Sequence, residues 1–326
     1  MKKKILIAFW VPPETLVGLG DDVEVIYPQE EVTGKFSLEE LKSKLPEVDA
    51  VLIGGEVFDK AMIDLGTNLK AIGRNGVGCD AVDSEYAGSK GVAVINTPIA
   101  VTHPTAELSI AIMMDAARCV TFLDKKLRVD KKCVAPFSYQ TNSAGLYGKT
   151  IGIVGFGRIG KAVGEKAKGL GMKVIYSDPI TAPKEVEDAL DAKKVSFDEL
   201  LKTADFVSVH CPYVPENHHL INEKSLSMMK PTAYLVNASR GKMVDEQALV
   251  DALKNKVIKG AALDVYEFEP EINQGLLDLD NVVLVPHVGT WNYDARVEMA
   301  IEALTGIYAF LKGEKPPNIF NKEFLV

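Results

Sequence analysis

The chain is poor in several things, and each shortage excludes something. It has only four cysteines in 326 residues: Cys79, Cys119, Cys133 and Cys211. They are too sparse for a disulfide scaffold, and they form neither a CxxC pair nor a Cys/His cluster at zinc spacing. They read as reduced thiols of a cytoplasmic protein, with no metal expected. No apolar run reaches the roughly 18 residues of a membrane span. The opening run Ile5 to Val11 stops at Pro12-Pro13-Glu14 with no small-residue cleavage site behind it, so it reads as a first strand rather than a signal core. Positive charge is also short. Lys and Arg total 37 against 45 Asp and Glu, a formal net charge of −8. Nucleic acids and anionic membranes call for a basic face, so neither is an expected partner. Histidine occurs five times, which narrows the search for a group that donates a proton near neutral pH.

What remains is an ordinary globular composition, 47% hydrophobic and 25% charged. At about 150 residues per domain the length suggests two domains. Apolar runs alternate with helical stretches almost throughout, the pattern of α/β layers on parallel sheets. The first series of strands is Ile5–Phe9, Val23–Tyr27, Ala50–Ile53, Leu69–Ile72 and Val92–Ile95. Between them, Ser37 and Glu40 have the spacing of a capping box. A long helix is expected from Thr102 to Val120, apolar nearly all round and therefore deeply buried. Residues 124–148 lack periodicity and read as a loop or arm at a subunit interface. A second series follows: Thr150–Val154, Lys173–Tyr176, Phe206–His210, Ala233–Asn237, Ala261–Val265 and Val282–Val285, then a last helix from Tyr293 to Leu311.

The sharpest local signal is Gly155-Phe156-Gly157-Arg158-Ile159-Gly160. A lone GxGxxG is weak. This one follows the strand ending at Val154 and opens a helix, and a second strand then leads to Asp178. That is the whole strand–turn–helix–strand context of a dinucleotide site. Gly155 permits the tight turn, Gly157 lets backbone approach a pyrophosphate, and Gly160 lets helix and sheet pack closely. The helix N-terminus offers N–H groups to the phosphates. Asp178 can accept from both ribose hydroxyls and repels a 2′-phosphate, so NAD is expected over NADP. Because the motif starts after a separate α/β segment, one domain is expected to consist of the two chain ends and the other to be inserted, with the substrate in a cleft between them.

Proton transfer points to histidine. His287 follows the strand Val282–Val285, where ligands of open α/β sheets bind. His210 also closes a strand, whereas His218-His219 lie in a polar stretch and read as solvated. Two further strand ends carry charge: Arg240, in Asn237-Ala238-Ser239-Arg240-Gly241, and the carboxylates of Asp264-Val265-Tyr266-Glu267-Phe268-Glu269. A guanidinium there can clamp a carboxylate through paired hydrogen bonds. Each group alone reads equally well as a solvated charge; three on successive strand ends are harder to dismiss.

The order of these motifs, together with Arg74-Asn75-Gly76-Val77-Gly78 and Asn96-Thr97-Pro98, resembles the D-isomer-specific 2-hydroxyacid dehydrogenases. That family includes glyoxylate/hydroxypyruvate reductases, phosphoglycerate dehydrogenases and D-lactate dehydrogenases. The resemblance implies two doubly wound parallel-sheet domains. A flavodoxin-like substrate domain would take residues 1–100 plus 291–326, and a Rossmann NAD-binding domain residues 101–290. It implies Arg240, Glu269 and His287 as the catalytic set, with His287 the proton donor paired to Glu269. Backbone N–H groups of Val77 and Gly78, with Arg240 and His287, would hold the substrate. Asp264 would meet the nicotinamide carboxamide. Arg158, Ile159 and Asp178 would line the dinucleotide together with the three glycines, and Thr102, His210, Pro212, Ala238 and Gly289 would surround it. The implied partners are a small 2-keto or 2-hydroxy acid and a second copy of the chain. His103, Trp10 and Trp291 depart from the usual pattern and leave the substrate's identity open. An NAD(H)-sensing interaction protein of the corepressor type shares the fold and the triad. Formate dehydrogenase, a third relative, usually has Gln where Glu269 stands.

Overall fold

The computed structural model describes residues 2–29, 34–134 and 143–325. The chain begins with β1 (Lys3–Ile7), β2 (Val23–Ile26), α1 (Leu38–Lys44), β3 (Ala50–Ile53), α2 (Lys60–Leu65), β4 (Ala71–Arg74), α3 (Ser84–Ser89) and β5 (Ala93–Ile95). It continues through α4 (Thr102–Arg118), α5 (Val120–Asp130), β6 (Thr150–Val154), α6 (Arg158–Gly169), β7 (Lys173–Ser177), α7 (Lys184–Leu190), β8 (Ala192–Lys194), α8 (Phe197–Thr203) and β9 (Phe206–Val209). It closes with α9 (Glu223–Met228), β10 (Tyr234–Asn237), α10 (Glu246–Lys254), β11 (Gly260–Leu263), α11 (Gln274–Leu277), β12 (Val282–Leu284) and α12 (Tyr293–Leu311). Short polar residues start these helices. Ser37 and Glu40 form the reciprocal capping box, and Asp59, Asp83, Ser196, Asp245 and Asn292 each accept an N–H from the first turn.

Two compact units result, Met1–Val101 with Thr290–Val326, and Thr102–Gly289. In the first, five parallel strands run in the order β2-β1-β3-β4-β5. Alternate side chains serve opposite faces. Leu6, Val51, Ile53 and Ile72 pack with Leu41, Phe58 and Met62, while Ile5, Ile7, Leu52 and Ile95 pack against Ala300, Leu304 and Ile307 of α12. Burial on both faces is why these strands read as continuous apolar runs.

The second unit has seven parallel strands in the order β12-β11-β10-β9-β6-β7-β8. From β6 the chain steps outward to β7 and β8, then returns to lay β9 on the other side of β6. That reversal places a crevice at the carboxyl ends of β6 and β9. One face of the sheet packs Ile151, Ile153 and Val236 against Ile112 and Met113 of α4 and Val163 of α6. The other packs Val207, Val209, Leu235 and Leu263 against Leu200, Leu226 and Leu249.

Two sequence expectations need correction. α4 is buried on one face only, through Ala106, Ser109, Ile112, Met113 and Ala117, while Ala111 and Met114 are exposed. An all-round apolar helix is not thereby an all-round buried one. The presumed loop from Asp124 begins as helix: Cys119 turns left-handed at φ +54° and α5 follows to Asp130. None of its residues is buried. Its support is charge at helical spacing, Arg128 to Asp124 and Lys126 to Asp130, both at 2.8 Å. Residues 135–142 of the expected arm lie outside the described residues. Among the described residues no helix is long and apolar enough to cross a membrane.

Candidate active site and cofactor turn

After β6 the chain turns at Gly155 with φ +88°, a conformation that L side chains rarely adopt. A Cβ there would lie 2.5 Å from the Cys211 nitrogen, and one on Gly160 would lie 2.2 Å from the Gly155 carbonyl oxygen. The turn, the start of α6 and the end of β9 therefore meet at distances only hydrogen permits. At Gly157 nothing lies within 4 Å of where a Cβ would sit, and no side chain caps α6. The first N–H groups of α6 thus face open space with the positive end of the helix dipole behind them, the surroundings a pyrophosphate needs.

Asp178 closes β7 beside this turn. One carboxylate oxygen accepts the Phe156 N–H at 2.7 Å and the other the Ile180 N–H at 2.8 Å. Phe156 is itself pinned by stacking on Tyr176, ring centroids 4.1 Å apart. Across the crevice His210 donates its N–H to the Val154 carbonyl at 2.7 Å, and its Nε2 lies 2.7 Å from Ser208 Oγ. Its Nδ1 is enclosed and has no partner among the described residues. Burial lowers its pKa to about 4, so the ring is neutral at pH 7. Burial also pushes the Cys211 thiol up to about 11, which rules it out as a ready nucleophile. A bare helix N-terminus, three side-chain-free positions and an enclosed unpaired ring nitrogen together fit a dinucleotide. Thr102 opens α4, exposed Pro212 follows β9, and Ala238, Asp264 and Gly289 follow β10, β11 and β12. Those last four, like the glycine turn, stand on the carboxyl edge of one sheet.

The charged groups stand on the same edge. Asn237 braces the turn after β10: its amide donates to the Arg240 carbonyl at 3.0 Å, and its oxygen accepts the Ser239 N–H and hydroxyl. The Arg240 guanidinium donates to the Ser239 carbonyl at 2.7 Å. Asp264 follows the next strand, β11, and is 1% exposed. Its main-chain carbonyl accepts the His287 N–H at 2.8 Å, and its carboxylate accepts the Val288 N–H at 2.6 Å. This grip holds His287 at φ +53°, a strained setting for a non-glycine residue. Burial pushes the Asp264 carboxyl up to about 6.

His287 then meets Glu269. Its Nδ1 donates to Glu269 Oε2 at 2.8 Å, while Glu269 Oε1 accepts the Tyr266 N–H at 3.0 Å. The hydrogen bond to Glu269 raises the His287 pKa above 6.5, against the opposing pull of its burial. Burial alone would raise the Glu269 carboxyl, but the His287 and Tyr266 hydrogen bonds, with the positive fields of His287 and Arg240, bring it below its ordinary value. With Nδ1 committed to Glu269, His287 has Nε2 left for another partner. A ring so held, near a carboxylate and a guanidinium, can deliver a proton to one oxygen and take it back.

One side chain here has no signal in the sequence, and two others are read there without their partners. Glu246, 2% exposed in the first turn of α10, accepts the Glu267 N–H at 2.8 Å and so fixes the loop that carries Glu269. Glu267 accepts from His219 Nε2 at 2.7 Å. His219 is thus half-buried and paired, a correction to its expected solvation, while His218 is exposed as expected. The signal was invisible because His219 and Glu267 are 48 residues apart.

Val77 and Gly78 belong to the first unit, in the loop after β4. The Val77 carbonyl accepts from the Asn96 amide at 2.9 Å. Trp10, also there, has the Arg296 guanidinium over its ring at 5.5 Å and gives its carbonyl to the same group at 2.7 Å. Trp291 is 78% exposed, and His103 is exposed on α4.

Residues 110–289 match the family model described as "D-isomer specific 2-hydroxyacid dehydrogenase, NAD binding domain". The chain is 42% identical to a glyoxylate reductase of Thermococcus onnurineus over 329 residues, covering 100% of this chain and 98% of that protein. It is 44% identical to a glyoxylate reductase of Thermococcus litoralis, covering 87% of each. Among solved structures, a glyoxylate reductase from Paecilomyes thermophila superposes with a TM-score of 0.82 at 31% identity, covering 98% of this chain and 99% of the other.

Proposed function

The chain belongs to the D-isomer specific 2-hydroxyacid dehydrogenase family, and from that premise we propose that it reduces glyoxylate, or another equally small 2-keto acid, to the matching 2-hydroxy acid with NADH. Its class, an NAD-dependent oxidoreductase of 2-hydroxy acids, comes with the family. Glyoxylate is favoured as substrate because the relatives at 42% and 44% identity carry that name. The observation that carries the proposal is the 2.8 Å pair of His287 and Glu269 on the strand edge that also presents Arg240.

When bound, NADH supplies the hydride that the substrate's carbonyl carbon accepts. Negative charge grows on the carbonyl oxygen as it does so. Arg240 stabilises that charge and orients the carboxylate through paired N–H groups. His287, whose proton affinity Glu269 raises by accepting its Nδ1–H, gives in its protonated form the Nε2 proton to the forming alkoxide. The reverse oxidation needs the neutral ring as base. Backbone N–H groups of Val77 and Gly78 are assigned to the substrate carboxylate. Asp264 is assigned to the nicotinamide carboxamide, and the glycine turn with Arg158 and Ile159 to the pyrophosphate. Thr102, His210, Pro212, Ala238 and Gly289 line the remainder. Asp178 sets the preference for NAD over NADP, since a 2′-phosphate would meet its negative charge.

A homodimer fits the exposed apolar side chains of α4 and α5, Met114, Val120, Leu127 and Val129, which a partner helix face would cover. Free cysteines fit a cytoplasmic setting. The test is NADH oxidation over a panel of 2-keto acids, with glyoxylate, hydroxypyruvate or pyruvate expected to give the highest kcat/KM. No turnover on the panel while NADH still binds would overturn the reading.

A further inference from the structure

A second cluster of ligand-type side chains is built on Glu267, outside the His287–Glu269 pair. In extended backbone, neighbouring side chains point to opposite sides. His219 breaks that rule with φ +51°, its N–H fixed to the Lys242 carbonyl at 3.0 Å. The rings of His218 and His219 consequently share one side, stacked with centroids 3.9 Å apart and planes 22° from parallel. His219 Nε2 meets Glu267 Oε1 at 2.7 Å, and the ligand atoms of His218, His219 and Glu267 all lie within 4.8 Å of one another. The other nitrogen of His219 has the Asp245 carboxylate 3.9 Å away, beyond hydrogen-bond distance but within range of a charge contact. Tyr213 flanks His218 edge-on, its hydroxyl 3.4 Å from Nδ1, and takes the Lys242 ammonium over its ring at 5.7 Å.

We propose that His218, His219 and Glu267 form a binding site for a transition-metal dication of the Zn2+, Co2+ or Ni2+ type, with solvent completing the coordination. Two imidazoles and one carboxylate suit these ions and not Mg2+ or Ca2+, which take all-oxygen shells. Metal–ligand bonds of about 2.0–2.2 Å require the three donors to draw together, and exposed His218 is the one with room to move. An ion there would displace the proton that His219 and Glu267 share and would tie the polar loop of residues 213–219 to the strand end after β11. Sequence reading saw no such site because the adjacent histidines lack zinc spacing and their carboxylate is remote.

The test titrates Co2+ and Zn2+ into the wild type and His218→Ala, a variant of an exposed side chain outside the catalytic set. The wild type is expected to bind one Co2+ with ligand-field bands and no thiolate charge-transfer band. His218→Ala should weaken that binding about tenfold or more. Zn2+ should raise Tm in the wild type and raise it less in the variant at the same concentration, since an ion bound only by the folded chain stabilises it. Three results would each overturn the site: no Co2+ or Zn2+ binding in the wild type, equal affinity in the variant, or a thiolate band that hands the ion to a cysteine.

Discussion

The glycine turn after β6 and the charged cluster after β10, β11 and β12 occupy the same edge of one sheet but are built differently. At the turn the functional surface is main chain. Side chains are excluded by approaches of 2.2 and 2.5 Å, and the chemistry on offer is a row of N–H groups. At the cluster the functional surface is side chain. A network from Asn237, Asp264, Glu246 and Tyr266 sets Arg240, His287 and Glu269 in place. The first can bind but cannot titrate. The second titrates, and its pKa values are set by neighbours. Binding and chemistry are thus carried by separate materials, and mutations should separate them.

The largest effect is expected at the proton donor. His287→Ala should lower kcat for keto-acid reduction by about 100-fold or more while changing NADH affinity little. Steady-state kinetics beside fluorescence titration of NADH would check it, and near-normal turnover would remove His287 from the mechanism. Gly160→Val should show the opposite split. Its side chain would strike the Gly155 carbonyl, cost roughly 1–3 kcal/mol of stability and weaken NADH binding. Calorimetry and the same titration read both, and unchanged affinity would contradict the backbone-built turn. Arg240→Lys comes next, with KM for the keto acid rising about tenfold because an ammonium cannot give the paired hydrogen bonds. The smallest effect is at Asp178→Asn, which should narrow the preference for NAD over NADP while leaving kcat with NADH nearly unchanged. If the ratio of the two affinities does not move, the carboxylate is not what selects the cofactor.

The same contrast explains what could be read from the sequence. The turn is local, so its spacing was enough, and β3, β6 and α12 were delimited as the structure has them. β4 is displaced, Ala71–Arg74 rather than Leu69–Ile72, because buried Leu69 belongs to the preceding turn and apolarity does not report strand pairing. β8, three residues at the sheet edge with two lysines, has no apolar run to find. Arg240, Glu269 and His287 were legible as types at strand ends, but the residues that hold them were not. Glu246 reaches Glu267 across 21 residues, and His219 reaches it across 48. Such pairs leave no period and no motif; only the fold brings them together.

The central claim is that Glu269 raises the proton affinity of His287, the proton donor. The direct measurement is kcat for keto-acid reduction against pH in the wild type and Glu269→Gln. The imidazolium is the active form, and the hydrogen bond to Glu269 raises its pKa above 6.5. Wild-type activity should therefore fall as pH rises through that elevated pKa. In Glu269→Gln the fall should begin at lower pH. Identical alkaline limbs in the two proteins would contradict the account.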